Sequence, residues 1–167
     1  MNKKIIALVL VFALALCAVS AASSTGTAKK NAFSLGLAGG TNNGVAVKYG
    51  MGKFDIQGVV GLAVNHNSPS FFGSVGAFYD VYDINFNTGA LTKTQTISIT
   101  VGPLVGFVLQ ENLFGLDFVG AVGAEYTFSK VPVTAFLKLG GGYSLGLSDG
   151  FNSRPIFYGV IGALYTF

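Results

Sequence analysis

The sequence predicts an all-β fold, an up-and-down antiparallel sheet of about eight strands that closes into a barrel. From residue 31 onward apolar side chains recur at every second position, which is the period of a strand and not of a helix. Only 10% of the 167 residues are charged, whereas 51% are hydrophobic. Soluble domains carry about 25% charged residues. Glycine is abundant, with 24 residues. This composition favours a transmembrane β-barrel whose outer surface faces lipid.

The first 21 residues predict a secretory signal peptide. Lys3 and Lys4 precede an apolar run over residues 5–19, and small residues follow, with cleavage expected after Ala21. A membrane-spanning helix needs about 20 apolar residues, and this run is shorter. An uncleaved membrane anchor is nevertheless kept as an alternative. Cys17, the only cysteine, lies within the leader. Its surroundings resemble a lipoprotein-processing box, so lipidation is an alternative there.

Residues 22–30 are small and polar and predict a flexible lead-in to the barrel domain, residues 31–167. The leader holds two of the ten basic residues and none of the seven acidic ones, so the mature chain carries 8 basic against 7 acidic residues. No cluster of Lys and Arg remains to neutralise phosphates, and nucleic acid is therefore not expected as a partner.

Eight strands are predicted, separated by turn-like stretches rich in Gly, Asn, Ser and Pro. The alternation is plainest in the sixth strand, where Phe118 and Tyr126 share one face, and Asp117 and Glu125 lie on the other. The predicted strands are residues 31–39, 44–51, 54–65, 71–82, 94–109, 113–128, 133–145 and 156–167. The connection after the fourth strand, residues 83–93, is unusually long.

An internal repeat sets the phase of the even strands. Residues 73–81, 120–128 and 159–167 share a Gly-x-x-Gly-Ala-x-Tyr pattern, and residues 43–51 are a weaker copy. The even strands run in one direction, so the outward tyrosine of each is expected at one level. Such a level is typical of an aromatic girdle at a membrane interface. The predicted girdle comprises Tyr49, Tyr79, Tyr126, Tyr165 and Phe128.

Six charged residues fall inside predicted strands, and all six lie on the inward face: Lys48, Asp55, Asp80, Asp117, Glu125 and Lys138. A charge that faces lipid is costly, roughly 2–4 kcal/mol for Lys or Arg at the bilayer midplane. Lys48 and Asp55 flank one hairpin turn, and Glu125 and Lys138 flank another. The sequence therefore predicts ion pairs in the lumen, near the end of the barrel where these two turns lie.

The last strand carries a family likeness. Six of its residues share one face, and a phenylalanine is the last residue of the chain: Phe157, Gly159, Ile161, Ala163, Tyr165 and Phe167. This pattern resembles the terminal strand of bacterial outer-membrane β-barrel proteins. With about eight strands, the chain is similar to their small class, which includes the OmpA transmembrane domain and OmpX.

The resemblance implies that the protein lies in the bacterial outer membrane, with outer-membrane lipid around it. It implies that barrel-assembly machinery reads Tyr165 and Phe167 during insertion, and that both chain ends are periplasmic. The loops on the outer side are short, whereas adhesive members of the family carry long ones. An adhesive role is therefore not expected.

For function, the sequence favours a structural or interaction barrel with a side-chain-filled lumen, without catalytic residues, metal or cofactor. A narrow channel or small-ligand carrier is the alternative, because the interior is lined by glycine and polar residues. A third reading, a lipid-modifying enzyme, depends on His66 and Ser68, which resemble the His-x-Ser pair of lipid A deacylases. Pro69 stands where that family has Asn. The oligomeric state stays open.

Residues 83–89 also resemble a calcium loop, but Thr88 and Thr94 occupy the positions where an EF-hand needs Gly and Glu. A hairpin turn is the preferred interpretation of this segment.

A soluble lipocalin-like barrel is the fold that competes with the transmembrane barrel. It would reverse the two faces, with apolar residues inside and charges outside.

Overall fold

The computed structural model is a closed barrel of eight antiparallel strands in sequential order. It describes residues 30–65, 68–86, 95–110, 113–128, 131–148 and 152–167. The strands are β1 (Lys30–Gly40), β2 (Gly44–Met51), β3 (Phe54–Asn65), β4 (Ser68–Phe86), β5 (Gln95–Gln110), β6 (Leu113–Thr127), β7 (Val133–Gly146) and β8 (Arg154–Thr166). Because β8 pairs with β1, the sheet closes on itself. The predicted all-β closed antiparallel fold is confirmed.

The predicted signal peptide, the cleavage site and residues 22–29 of the lead-in lie outside the described residues. β1 begins at Lys30, one residue earlier than predicted. Within the described ranges, no helix is long and apolar enough to cross a membrane.

The pairing between strands fixes their tilt. A row of directly paired residues can be followed from strand to strand around the barrel. It starts at Leu164 of β8, passes Gly36 and Ala46, and returns to β8 at Arg154, ten residues from its start. Strands lie about 4.8 Å apart and rise about 3.3 Å per residue, so this stagger tilts them about 40° from the barrel axis. Eight strands at this tilt enclose an interior that side chains can fill.

The fourth strand differs from its prediction. Seven strands begin and end within two residues of the predicted bounds, whereas β4 extends over Ser68–Phe86 in place of residues 71–82. Residues 83–86, predicted as part of a long turn, therefore belong to the strand. The register of β4 against β5 shifts between Asp80 and Tyr82, which identifies a β-bulge at Val81. A bulge adds one residue to one strand, so alternation read from the sequence loses its phase at this point.

The middle of the lumen is apolar. Its core contains Val59 of β3, Leu104 of β5 and Val119 of β6, together with Tyr158 and Val160 of β8, all at most 6% exposed. The inward face of β8 is largely apolar, and Tyr158, Val160 and Leu164 are buried there. The outer face of β8, by contrast, exposes Phe157 and Ile161.

Inward glycines let neighbouring strands approach closely. At Gly142 of β7, a Cβ atom would lie 1.9 Å from the carbonyl oxygen of Phe118, so any larger residue would collide with the backbone of β6. The next residue along the strand, Gly141, faces outward, and a Cβ atom there would meet nothing nearer than 4.0 Å. The two positions show why glycine is needed on the inner face of this curved sheet.

Candidate functional site: the lumen and the outer surface

Four charged side chains meet in the lumen at the end of the barrel where β1 begins and β8 ends. Lys48 Nζ lies 2.8 Å from Asp55 Oδ2 across the β2–β3 hairpin. Lys138 Nζ of β7 lies 2.7 Å from Glu125 Oε1 of β6. Lys48 also contacts Glu125 Oε2, which joins the two pairs across the lumen. Lys48, Asp55, Glu125 and Lys138 are called the ionic cluster below, and they connect opposite walls of the barrel.

Lys138 is the most deeply buried member of the ionic cluster, at 1% exposure. Its Nζ donates a hydrogen bond of 2.7 Å to Thr100 Oγ1 and lies 3.9 Å from the centroid of the Phe78 ring. Gly123 makes room for its stem, because a Cβ atom there would lie 2.3 Å from Lys138 Cδ. A buried ammonium is tolerated only when its hydrogens are paired, and these contacts supply the pairing.

The two remaining predicted lumen charges lie outside the ionic cluster. Asp80 of β4 is buried near the same end, and its backbone N–H donates to the carbonyl oxygen of Lys53. Asp117 of β6 lies in the opposite half of the lumen, opposite Gly106 and Ser144 on the adjacent strands. Asp117 forms no ion pair with any residue that the structure describes. The structure thus brings together four of the six predicted charges.

Sequence reasoning missed the contact between Lys48 and Glu125, because hairpin geometry identifies only partners on adjacent strands. It also missed Thr100, which binds Lys138, and the pair formed by Asp83 and Ser98, whose Oγ donates a 2.6 Å hydrogen bond to Asp83 Oδ1. Residue 83 was predicted as part of the long turn after the fourth strand, so the position of Asp83 opposite Ser98 on β5 was not expected.

The outer surface of the barrel is apolar. Leu37, Leu62 and Ile161 are 69%, 67% and 62% exposed, and many other large apolar side chains stand in the same orientation. Six of the charged residues that the structure describes face the lumen. The others lie at strand ends, in a turn, or where β4 extends beyond the start of β3: Lys30, Arg154, Lys53 and Asp83. A lipocalin-like barrel would have charged residues outside and apolar residues inside. The outer face of this barrel is apolar, so it does not have that arrangement.

Aromatic residues surround the barrel near the end that holds the chain termini. Tyr79 packs on Phe54 with 4.8 Å between ring centroids, and Tyr165 packs on Phe167 at 5.1 Å. Tyr126 contacts Phe128 at 4.7 Å and stacks on Phe86 at 6.2 Å. Tyr49 lies opposite Phe33 and Ile56 in the register. The aromatic residues predicted for the girdle, together with these neighbours, are called the terminal ring below.

A second set of aromatic residues lies toward the other end: Phe71, Phe107, Phe118, Tyr143 and Phe157. On each of β4, β6 and β8, an aromatic residue of this distal ring precedes a tyrosine of the terminal ring by eight residues, as in Phe118 and Tyr126. Eight residues at about 3.3 Å each, tilted about 40°, separate the two rings by about 20 Å. The distal ring was not predicted, although this eight-residue spacing is visible in the sequence.

The enzyme and calcium alternatives fall largely on residues that the structure does not describe. His66 lies outside the described residues, as do residues 87–94, and Ser68 is the first residue of β4. Among the residues that are described, no three His, Cys, Asp or Glu side chains gather in a way that would hold a metal ion.

The geometry defines the class of the protein: a small up-and-down β-barrel of eight strands with an ionic cluster in its lumen and an apolar outer face. Comparison with protein-family models, with curated proteins and with solved structures finds no match. The assignment to this class therefore depends on the geometry alone.

Proposed function

We propose that the protein is an integral β-barrel of the bacterial outer membrane, with a structural or interaction role and a lumen closed by its own side chains. The observation that carries this proposal is the distribution of polarity. The outer face is apolar between two aromatic rings about 20 Å apart, whereas six charges face inward. This arrangement would be unfavourable for a barrel surrounded by water, because large apolar side chains would be exposed to solvent while charged groups would be removed from it.

The filling of the lumen supports the proposal that the barrel does not conduct ions. The ionic cluster joins opposite walls near one end, and the apolar core fills the middle with side chains that are at most 6% exposed. A channel or a small-ligand carrier needs a passage or a cavity along this axis. The filling of the lumen therefore favours the structural or interaction role over that alternative.

The two ends of the barrel differ in what they offer to a partner. The four connections at the end opposite the chain termini are short, the longest being residues 147–153 between β7 and β8. Interaction through long outer loops is therefore not part of the proposal. Tyr165 and Phe167 are 49% and 58% exposed at the end of β8, where barrel-assembly machinery would read them. Outer-membrane lipid is the proposed surrounding of the wall.

Heat modifiability tests the membrane-barrel proposal. The purified mature protein, folded in detergent, is expected to migrate faster on SDS gels before boiling than after it, because a closed barrel resists SDS. Circular dichroism should show a β-rich spectrum in the same detergent. Identical mobility before and after boiling, with no β-rich spectrum, would contradict the proposal.

Conductance in planar bilayers separates the closed barrel from the channel. The wild-type protein is expected to be silent, and Lys138→Ala is expected to open transient currents, because it removes one contact of Glu125 and the ammonium that occupies the lumen beside Phe78. The inward face carries four acids and two bases in the wild type, so these currents should favour cations. A large steady current through the wild type would overturn the closed-lumen proposal and favour the channel.

A further inference from the structure

The side chain of Gln57 is a buried polar group whose acceptor lacks a donor. Gln57 lies on the inward face of β3, between Asp55 and Val59, and is 4% exposed. Its Oε1 accepts no hydrogen bond from any residue that the structure describes. Nearly all buried polar groups in folded proteins have a partner, because an unmade bond leaves the full cost of desolvation. Gln57 therefore indicates a ligand that donates a hydrogen bond.

Lys48 is the polar neighbour of Gln57 on the adjacent strands. In the register, Gln57 lies directly opposite Lys48 of β2 on one side and Gly76 of β4 on the other. Residues that face each other in this way have Cβ atoms about 4.5–5.5 Å apart. Gly76 brings no side chain, and the next inward residue of β3 toward the distal ring, Val59, is apolar and buried. A ligand of Gln57 is therefore expected on the side of Lys48.

The two lysines of the ionic cluster differ in the number of their partners. Lys138 Nζ has three, which are Glu125, a threonine hydroxyl and the face of an aromatic ring. Lys48 Nζ has two among the described residues, Asp55 Oδ2 and Glu125 Oε2. An ammonium has three hydrogens to donate. Lys48 thus has a hydrogen available beside an acceptor that lacks a donor.

Water can reach the Lys48 side chain, which is 12% exposed, against 1% for the side chain of Lys138. Inward-facing hydroxyl pairs line the same end of the lumen: Ser34 with Thr166 at 2.9 Å, and Thr127 with Thr134 at 3.0 Å. They give water a polar path from this end of the barrel to the ionic cluster. The apolar core begins just beyond Gln57, so Gln57 is the last polar side chain of β3 on that path.

We propose that a water molecule binds between Lys48 and Gln57 and joins the Gln57 amide to the ionic cluster. It accepts a hydrogen bond from the Lys48 ammonium and donates one to Gln57 Oε1. A water molecule can do both at once, whereas the ammonium would repel a metal cation, and a halide anion has no hydrogen to donate to Oε1. Buried waters occupy sites of this kind, between polar groups that lack another partner. Gln57 then holds Lys48 in place through the water.

A crystal structure of the full mature protein in detergent, at a resolution that shows ordered waters, tests this site directly. We expect one density peak about 2.7–3.2 Å from both Lys48 Nζ and Gln57 Oε1. Soaking in rubidium bromide identifies ions by their anomalous scattering, so a peak without anomalous signal supports water. An anomalous peak at this position, or protein side chains that fill it, would overturn the proposal.

Gln57→Met gives an independent measurement, because a bound water and an unpaired amide predict changes of opposite sign. Methionine has a similar length but no amide oxygen. If water joins Gln57 to Lys48, the variant loses a hydrogen bond, and its unfolding equilibrium constant in detergent should rise about fivefold. If Oε1 has no donor, the variant removes a buried unpaired atom and the constant falls. An unchanged or lower constant would overturn the proposal.

Gln110→Met is the matched control. Gln110 ends β5 in the opposite half of the barrel from Lys48, facing Ser70 and Leu113 on the adjacent strands. The same change there should alter the unfolding constant by no more than about twofold. The density beside Lys48 should persist in Gln110→Met and disappear in Gln57→Met. Density that persists in both variants would show that Gln57 does not bind the water.

The two proposals fail separately. If Gln57→Met does not fold, the density in the wild-type crystal decides the matter. The water site lies inside the barrel and does not depend on what surrounds the outer face. Loss of heat modifiability in the wild type would therefore contradict the membrane-barrel proposal alone, whereas an ion or a side chain between Lys48 and Gln57 would contradict only the water site.

Discussion

The middle of the lumen and its end near the chain termini are filled in different ways. In the middle, Val59, Leu104 and Val119 fill space by apolar contact alone, and each depends on the volume of its neighbours. Near the chain termini, Lys48 and Glu125 meet across the lumen through their charges, beside the buried ring of Phe78. Apolar packing is replaceable by other side chains of similar volume, whereas an ionic cluster fails when one member is lost. The end near the chain termini is therefore the more specific and the more fragile of the two.

The largest loss of stability is expected when Glu125 is removed from the ionic cluster. Glu125→Ala removes the shared acceptor of Lys48 and Lys138 and leaves two lysines with one carboxylate, Asp55, in the ionic cluster. We expect the free energy of unfolding to fall by about 3–5 kcal/mol, the range for breaking a buried pair. Urea unfolding in detergent micelles measures this change.

A double variant is the control for Glu125. Glu125→Leu combined with Lys138→Met replaces one buried pair by apolar side chains and retains the contact of Lys48 with Asp55. It is expected to be more stable than Glu125→Ala, because Lys48 keeps Asp55, and the carboxylate and the ammonium that are lost are both replaced by apolar side chains. If the single variant is the more stable, the cluster is not held together by charge.

In the distal half, backbone proximity should dominate. Gly142→Ala would push a methyl group against the carbonyl oxygen of Phe118, and we expect a loss of about 2–3 kcal/mol, as for overpacked interiors. Gly141→Ala, one residue away on the outer face, should change stability by at most about 0.5 kcal/mol. The unfolding midpoints of the two variants decide the matter. Equal losses would mean that the inward and outward faces of β7 are wrongly assigned.

The smallest expected effect concerns the support of Lys138. Thr100→Val keeps the shape of the side chain but removes the hydrogen bond that Lys138 donates, at a cost of about 1.5 kcal/mol. Thr96 lies on the same strand as Thr100, and Thr96→Val removes its exposed hydrogen bond to Asn85 of β4, at a cost of about 0.5 kcal/mol or less. A Thr100→Val variant as stable as the wild type would show that Glu125 alone satisfies the ammonium.

The sequence predicted the wall of the barrel better than its contents. Alternation is a local signal, and it located seven strands closely, but it lost its phase at Val81, where no glycine or proline in the sequence marks the bulge. The contact of Lys48 with Glu125 depends on closure and stagger, which no pair of adjacent strands reveals. The distal ring was accessible from the spacing of Phe71 to Tyr79 and of Phe157 to Tyr165. Contacts between side chains on opposite walls of a closed lumen can be identified only from the three-dimensional structure.

The distance between the two aromatic rings has a consequence for the lipid that surrounds the proposed membrane barrel. A typical bilayer has a hydrocarbon thickness of about 30 Å, which exceeds the separation of the rings by about 10 Å. Mismatch costs fractions of a kcal/mol per ångström, and the bacterial outer membrane is thinner than average. A thick bilayer would have to compress around this barrel, whereas a thin one would accept it without deformation. In the proposed membrane barrel, the eight-residue spacing of paired aromatics would therefore select a membrane by its thickness, independently of any receptor.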